Sequence, residues 1–347
     1  MQYRGATPLV VPVGNGCYPK ADVYFYAPDR RLRTLSDRFE LIILTGFLGA
    51  GKTTVLNEWL SSGQAEDVAL LVNEFGAVDV DGPVLDATVG TGNRVMSLPN
   101  GCICCEVQED LVEALIALAD GSLARKGILE TTGLADPGAV LRGVTHDPRL
   151  KTRIKIIATI CVAGANTIKK QLAEFVEARA QLALADRIVL SKIDLLDDSE
   201  ADAIHHEIAA INPLAEIKRY AQGHIEDGMF DPINTGQAIP EHTHHHSHGI
   251  NTFSVHLPRP LNHDLFRDTL SFWIMRHAEN LLRMKGIVLF DGETEPQLLN
   301  AVHDVFTSNA ATVSTIASGF GGTLVFISRG LSENELRTDL EKCMVPD

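Results

Sequence analysis

The run Gly46-Phe47-Leu48-Gly49-Ala50-Gly51-Lys52-Thr53 decides the fold through what stands on either side of it. Leu41 to Thr45 before it is an apolar strand, and Lys52 to about Ser62 after it has the spacing of a helix. The run matches G-x-x-x-x-G-K-S/T in the strand-to-helix setting that a phosphate-binding loop requires. Its chemistry is physical. Glycines at 46, 49 and 51 let the backbone N–H groups, that of Ala50 included, turn inward onto phosphate oxygens, and the helix N-terminus adds partial positive charge. Lys52 is expected on the β- and γ-phosphates, the Thr53 hydroxyl on Mg²⁺, and Thr54 on a further phosphate oxygen. A glycine-rich turn that only joins strand to helix is the bland alternative, which the matching context disfavours.

Outward from the loop the pattern repeats. Val68 to Val72, Gly127 to Glu130, Ile154 to Val162 and Arg187 to Leu190 are apolar runs separated by helix-length segments. Near-continuous apolar strands with helical crossovers predict an α/β fold, a mostly parallel sheet with helices on both faces. Val107, Leu111, Leu115 and Leu118 predict a helix in an insertion just after a cysteine cluster, and Ser199 with Asp202 at the capping-box distance starts a helix towards Ile211. This nucleotide domain spans 39–222. Residues 1–38, with Pro8, Pro12, Gly14, Gly16 and Pro19, form an N-terminal extension without a long helix. Residues 223–249 read as a linker holding Pro232, Pro240 and the run His242-Thr243-His244-His245-His246-Ser247-His248. Beyond it, strands at Thr252 to His256, Gly286 to Phe290 and Thr323 to Ser328 and helices at Asn262 to Trp273 and Ser332 to Lys342 predict a smaller α+β domain over 250–347. Two cores suit a chain of 347 residues.

Hydrophobic residues at 45% and charged residues at 22% leave ample apolar surface to bury. A formal net charge of −15 repels phosphate backbones, which argues against a nucleic-acid partner and favours a cationic ligand. The 6 cysteines are too few and too uneven for a disulfide framework, so a reducing compartment is expected. With no signal-peptide core and no run near the roughly 18 apolar residues of a membrane span, the expectation is a soluble, cytoplasmic protein with no membrane partner.

Ser191-Lys192-Ile193-Asp194 follows the Arg187 to Leu190 strand and resembles the N-K-x-D base-reading element of GTPases. Asp194 offers two acceptors to the two N–H donors of guanine, and adenine would leave that charge unpaired. Lys192 can lay its stem across the base, while Ser191, standing where asparagine is usual, shortens or loses one contact. Alone the tetrapeptide is common at strand ends; in this order it points to GTP. Glu130 opens Glu130-Thr131-Thr132-Gly133, where the carboxylate can reach Mg²⁺ or its water and the Gly133 amide can sense the γ-phosphate. An ordinary strand-end acid followed by a turn glycine is the competing reading.

Gly101-Cys102-Ile103-Cys104-Cys105 holds three thiols within four positions. On an extended segment Cys102 and Cys104 share a face and Cys105 points away, so ligation by all three needs a turn or bulge, which Asn100-Gly101 helps supply. Thiolates this close need a cation, which favours Zn²⁺ with Co²⁺ as the alternative over a role as small buried hydrophobes. The histidine run carries five of the 13 histidines and suits Zn²⁺ or Ni²⁺, although a polar linker accounts for the composition as well.

GFLGAGKTT, the NEFG of Asn73 to Gly76, GCICC, ETTGLADP and SKID occur here in the order seen in the CobW-like family of P-loop GTPases, regarded as metal-insertion chaperones. The resemblance covers roughly 40–220 through motifs and extends more loosely to the end. It implies that Cys102, Cys104 and Cys105 hold a cargo metal, that Glu74 and Asp81 lie in a switch segment, and that Lys52, Thr53, Glu130 and Asp194 serve GTP and Mg²⁺. The expected function is a GTP-hydrolysing metallochaperone that delivers a divalent metal to a client metalloprotein or cofactor pathway. Two alternatives stand beside it: a metal-storage module on a nucleotide-binding scaffold, and a GTP-dependent regulator with a structural zinc site.

Overall fold

The computed structural model describes residues 38–65, 68–73, 94–98, 109–122, 124–233, 244–247, 249–310 and 321–346. The first domain has strands β1 (Phe39–Thr45), β2 (Val68–Asn73), β3 (Arg94–Leu98), β4 (Lys126–Glu130), β5 (Ile154–Gly164), β6 (Arg187–Ser191) and β7 (Glu216–Arg219). Its helices are α1 (Lys52–Ser61), α2 (Glu109–Gly121), α3 (Pro137–His146), α4 (Pro148–Lys151), α5 (Ile168–Glu174), α6 (Val176–Leu184) and α7 (Asp198–Ile211). The strands form one sheet in the order β3-β2-β4-β1-β5-β6-β7, and every described pairing in it is parallel.

Alternation along β1 shows why both faces need helices. Phe39, Leu41 and Ile43 join Leu111, Leu115 and Val140 of α2 and α3 on one side, and Ile42 and Leu44 join Val55, Leu56 and Trp59 of α1 on the other. All five β1 residues are fully buried, each side chain stabilising the fold by about 1.5–3 kcal/mol relative to exposure. A parallel sheet gathers the C-terminal ends of its strands on one edge. Leu44 pairs with Glu130, Val72 with Glu130 and Ser97, and Asn73 with Leu98, so the strand ends that precede the sequence motifs lie level with one another.

The second domain contains β8 (His244–Ser247), β9 (Ile250–Leu257), β10 (Leu281–Val288), β11 (Gln297–Val302), β12 (Val305–Ala310) and β13 (Gly322–Ser328), with helices α8 (His263–His277) and α9 (Glu333–Glu341). Its sheet runs β12-β11-β10-β13-β9-β8, antiparallel throughout the described pairings. Phe253, Val255 and Phe326 on one face pack on Phe266, Leu270, Trp273, Leu336 and Leu340 of α8 and α9. Ile250, Leu282, Val325 and Ile327 belong to a core shared with Leu182, Leu184, Ile208 and Ile211 of α6 and α7. The first domain therefore supplies the second layer for this sheet.

Several elements differ from the sequence expectation. Within the presumed linker, His244–Ser247 is an edge strand, with His245 paired to Thr252 of β9. Helix α7 begins at Asp198 under Asp197, whose side chain accepts from Glu200 N while Glu200 reaches back to the cap. Asp202 is bonded instead to Arg219. The strand expected at Gly286 to Phe290 lies earlier, at Leu281–Val288, and β3, β11 and β12 were not anticipated. Among the described residues no helix is long and apolar enough to cross a membrane.

Candidate nucleotide site

Between β1 and α1 the backbone takes positive φ at Gly46 (142°), Gly49 (73°) and Gly51 (94°), conformations that side chains oppose. At Gly46 a Cβ would also stand 2.2 Å from the Val162 carbonyl oxygen, so glycine is required there twice over. Around Gly49 a Cβ would meet nothing within 4 Å, which leaves that side of the loop open to a ligand. Lys52 donates through Nζ to Gly46 O at 2.8 Å, and Thr53 donates through Oγ1 to Glu130 Oε1 at 2.9 Å. Thr54 is exposed in the first turn of α1. Burial lowers the Lys52 pKa against the opposing pull of Glu130 and Cys161. The Cys161 thiol is pushed up to about 12 by its own burial, so it is neutral at physiological pH, and the pull of Glu130 on Lys52 is the larger of the two. Thr45 Oγ1 and Thr132 Oγ1 are buried with no hydrogen-bond partner among the described residues.

The segment after β4 closes against this loop. A Cβ on Gly133 would lie 2.7 Å from Leu48 N, so the two backbones touch. Gln181 of α6 donates from Nε2 to Gly133 O (3.1 Å) and Ala135 O (3.0 Å), and Gln171 of α5 donates to Leu48 O at 3.4 Å. Asp136 then caps α3 by accepting from Gly138 N at 2.8 Å, with Pro137 in the first turn. The two glutamines were invisible to sequence reasoning, since nothing local marks a helical Gln as the support of a distant loop.

On the other side of the loop, Ser191 donates to Ala50 O at 2.6 Å and Lys192, with φ 59°, donates to Gly49 O at 2.7 Å. Asp194 is exposed on a 3₁₀ turn, Ile193–Leu195. Serine in place of asparagine thus keeps a direct tie between the end of β6 and the phosphate loop. Glu58 of α1 accepts from Gly223 N at 2.9 Å and so fixes the chain after β7 to the same helix.

Lys52, Thr53, Glu130, Gly133, Ser191, Lys192 and the loop glycines are thereby brought together, and Asp194 follows Lys192 after Ile193 on the 3₁₀ turn. Glu74, Asp81, Cys102, Cys104 and Cys105 lie outside the described residues. Among the described residues no group of three or more His, Cys, Asp or Glu is arranged to hold a metal ion. The phosphate loop itself fits a magnesium nucleotide. Thr53 and Glu130 present hard oxygens in contact, Lys52 offers a cation, and Gly49 leaves open space.

A parallel sheet with this loop after its central strand, a carboxylate ending the neighbouring strand and S-K-x-D after β6 define a P-loop GTPase. Residues 40–219 match the family model for the CobW/HypB/UreG nucleotide-binding domain, and 250–344 match the cobalamin synthesis protein cobW C-terminal domain. The chain belongs to the CobW-like family of P-loop GTPases. It is 31% identical over 313 residues to the zinc chaperone YjiA of Escherichia coli, covering 85% of this chain and 95% of that one. To the zinc chaperone CobW of Pseudomonas aeruginosa it is 28% identical over 358 residues, covering 89% and 93%. The crystal structure of Zn(II)-bound YjiA GTPase from E. coli superposes with a TM-score of 0.69 at 26% identity, over 89% of this chain and 99% of that chain.

Proposed function

We propose that this chain hydrolyses GTP and couples the hydrolysis to carriage of a divalent transition metal, zinc in preference to cobalt, for a metalloprotein client or cofactor pathway. The observation that carries the GTPase half is the 2.9 Å contact between Thr53 and Glu130, which joins the phosphate loop to the end of the neighbouring strand. Lys52, the amides of Gly46, Gly49, Ala50 and Gly51, and Thr54 bind the phosphates. Thr53 and Glu130 hold Mg²⁺, which when bound neutralises charge developing on the phosphoryl oxygens. Lys52 exchanges its bond to Gly46 O for phosphate, and ligand charge offsets the burial that lowers its pKa. The Gly133 N–H senses the γ-phosphate position, in a residue whose carbonyl Gln181 holds and whose backbone packs on Leu48. Asp194 reads guanine, with Ser191 and Lys192 fixing the base-side turn to the loop.

Support for the metal half comes from the chain's own cysteines and from the names of its relatives. Cys102, Cys104 and Cys105 are the cargo ligands, and Glu74 and Asp81 belong to the segment that answers to nucleotide. Leu98, four residues before Cys102, ends β3 on the sheet edge that carries Glu130. Substituting Cys102, Cys104 and Cys105 by alanine is expected to remove stoichiometric Zn²⁺ binding and the metal dependence of GTP turnover; unchanged values for both would sink the proposal. A Lys52→Ala protein that still protects cells from metal stress as wild type does would favour storage over delivery.

A further inference from the structure

The turn between β11 and β12, Val302–Val305, reaches out of the second domain onto α3, the helix that starts just after Gly133. Val302 packs against one of the first domain's apolar clusters and against the core that the two domains share. Asp304 lies 3.7 Å from His146 in the last turn of α3. At the centre is His303, 4% exposed and at φ 51°, one of two non-glycine residues with positive φ among the described residues. A β-carbon resists that conformation, so packing must hold it.

Among the described residues the ring has one hydrogen bond. Nδ1 is 2.9 Å from Ala278 O, and since a carbonyl only accepts, Nδ1 carries the proton. Nε2 then bears a lone pair, and it has no hydrogen-bond partner among the described residues. It is pressed on the first turn of α3: a Cβ added to Gly138 would stand 2.4 Å from Nε2 and 2.7 Å from Cδ2. Burial, the largest influence, keeps the ring neutral; Arg142 and Arg329 act the same way, while Asp136 and the Ala278 carbonyl oppose them. Gly138 N is the donor that Asp136 caps, and Asp136 follows Ala135, whose carbonyl Gln181 holds together with that of Gly133. The helix carrying Gln181 ends where Arg283 of β10, fully buried, donates to Leu184 O and Ala185 O and pairs with Asp186. The segment from Gly133 to Gly138 is therefore gripped from the second domain on two sides, by Arg283 through α6 and by His303 directly.

We propose that the hairpin tip Val302–Val305, with His303 as its positioning residue, is the contact through which the second domain registers the nucleotide state of Gly133 to Asp136. Arg283 and the shared apolar core fix one side of the domain pair, and the tip is the contact that moves. The proposal rests on the GTPase reading and goes beyond it: a shift of Gly133 on γ-phosphate binding displaces the first turn of α3, and the ring, in van der Waals contact with Gly138, must follow or part.

Hydrogen exchange of the full chain tests this, comparing GDP·Mg²⁺ with a non-hydrolysable GTP analogue·Mg²⁺. In wild type, amides of Gln297–Ala310 are expected to change exchange rate by about fivefold or more between the two states, a coupling of ordinary size. Gly138→Ala, which favours the helix but puts a methyl group into the ring, is expected to abolish that difference while analogue affinity stays within about twofold. His303→Asn tolerates positive φ and shortens the side chain, so adding it to Gly138→Ala relieves the overlap and restores part of the response. A hairpin indifferent to nucleotide in wild type, or a wild-type response surviving in Gly138→Ala, overturns the proposal and leaves the GTPase reading intact. Failure of wild type to bind GTP overturns both.

Discussion

Replacing Gly46 by alanine puts a methyl group 2.2 Å from the Val162 carbonyl oxygen and 3.0 Å from its nitrogen, at φ 142°. Val162 cannot retreat, because β5 is hydrogen-bonded to β1 on one side and pairs Val162 with Val189 of β6 on the other. Backbone strain of about 1–3 kcal/mol and an overlap of about 1–3 kcal/mol sum to roughly 4 kcal/mol. For a domain of this size that lowers Tm by about 8–16 °C. Gly49→Ala is the control. It shares the positive φ but meets nothing within 4 Å, so only strain of about 1–2 kcal/mol applies, a loss of about 2–8 °C. Thermal unfolding of the nucleotide-free proteins separates the two. Equal losses, or a Gly46→Ala protein within 2 °C of wild type (roughly the smallest single-kcal effect), would refute the reasoning.

Three further outcomes follow from the same geometry. Asp194→Ala is expected to weaken GTP by about 100-fold with little change for ATP, read by competition against a fluorescent nucleotide; parallel losses would show that Asp194 does not read the base. Arg283→Ala removes a buried cation from Leu184 O, Ala185 O and Asp186, while Asp186 keeps the Thr159 N–H at 2.8 Å; denaturant titration should show a loss of about 3–5 kcal/mol. Lys52 has a folded pKa below its unfolded 10.5, so between the two the unfolded chain binds the extra proton and stability rises with pH. The stability of wild type minus Lys52→Met, measured by urea titration, should accordingly move in favour of wild type as pH climbs towards 10.5, and a flat or falling difference would contradict the burial of this lysine.

The nucleotide half of the molecule was legible because its information is local. A strand, three glycines, a lysine and a threonine stand in one run, and the apolar stretches around them had the right lengths for buried parallel strands. What escaped has physical reasons. Strand β3 carries Arg94 and Ser97 among three apolar residues, and Asn300 interrupts β11, so neither shows a clear period. At α7 two capping boxes compete, and Asp197 with Glu200 prevails while Asp202 goes to Arg219. The histidine run has linker composition, yet pairing with β9 makes part of it a strand, a tertiary override of local preference. Gln181 and Arg283 hold backbone carbonyls 46 or more residues away, and His303 bonds Ala278 O 25 residues back while its ring presses on Gly138 of the other domain, relations that no local pattern encodes.

The central claim, that nucleotide and metal occupy one coupled machine, is tested most directly by Zn²⁺ competition against a chelator of known affinity, without nucleotide, with GDP·Mg²⁺ and with a non-hydrolysable GTP analogue·Mg²⁺. The account predicts that Zn²⁺ affinity differs between the GDP and analogue states by about fivefold or more, and that the difference disappears with Cys102, Cys104 and Cys105 replaced by alanine. Equal Zn²⁺ affinity in all three states of the wild-type chain would contradict it.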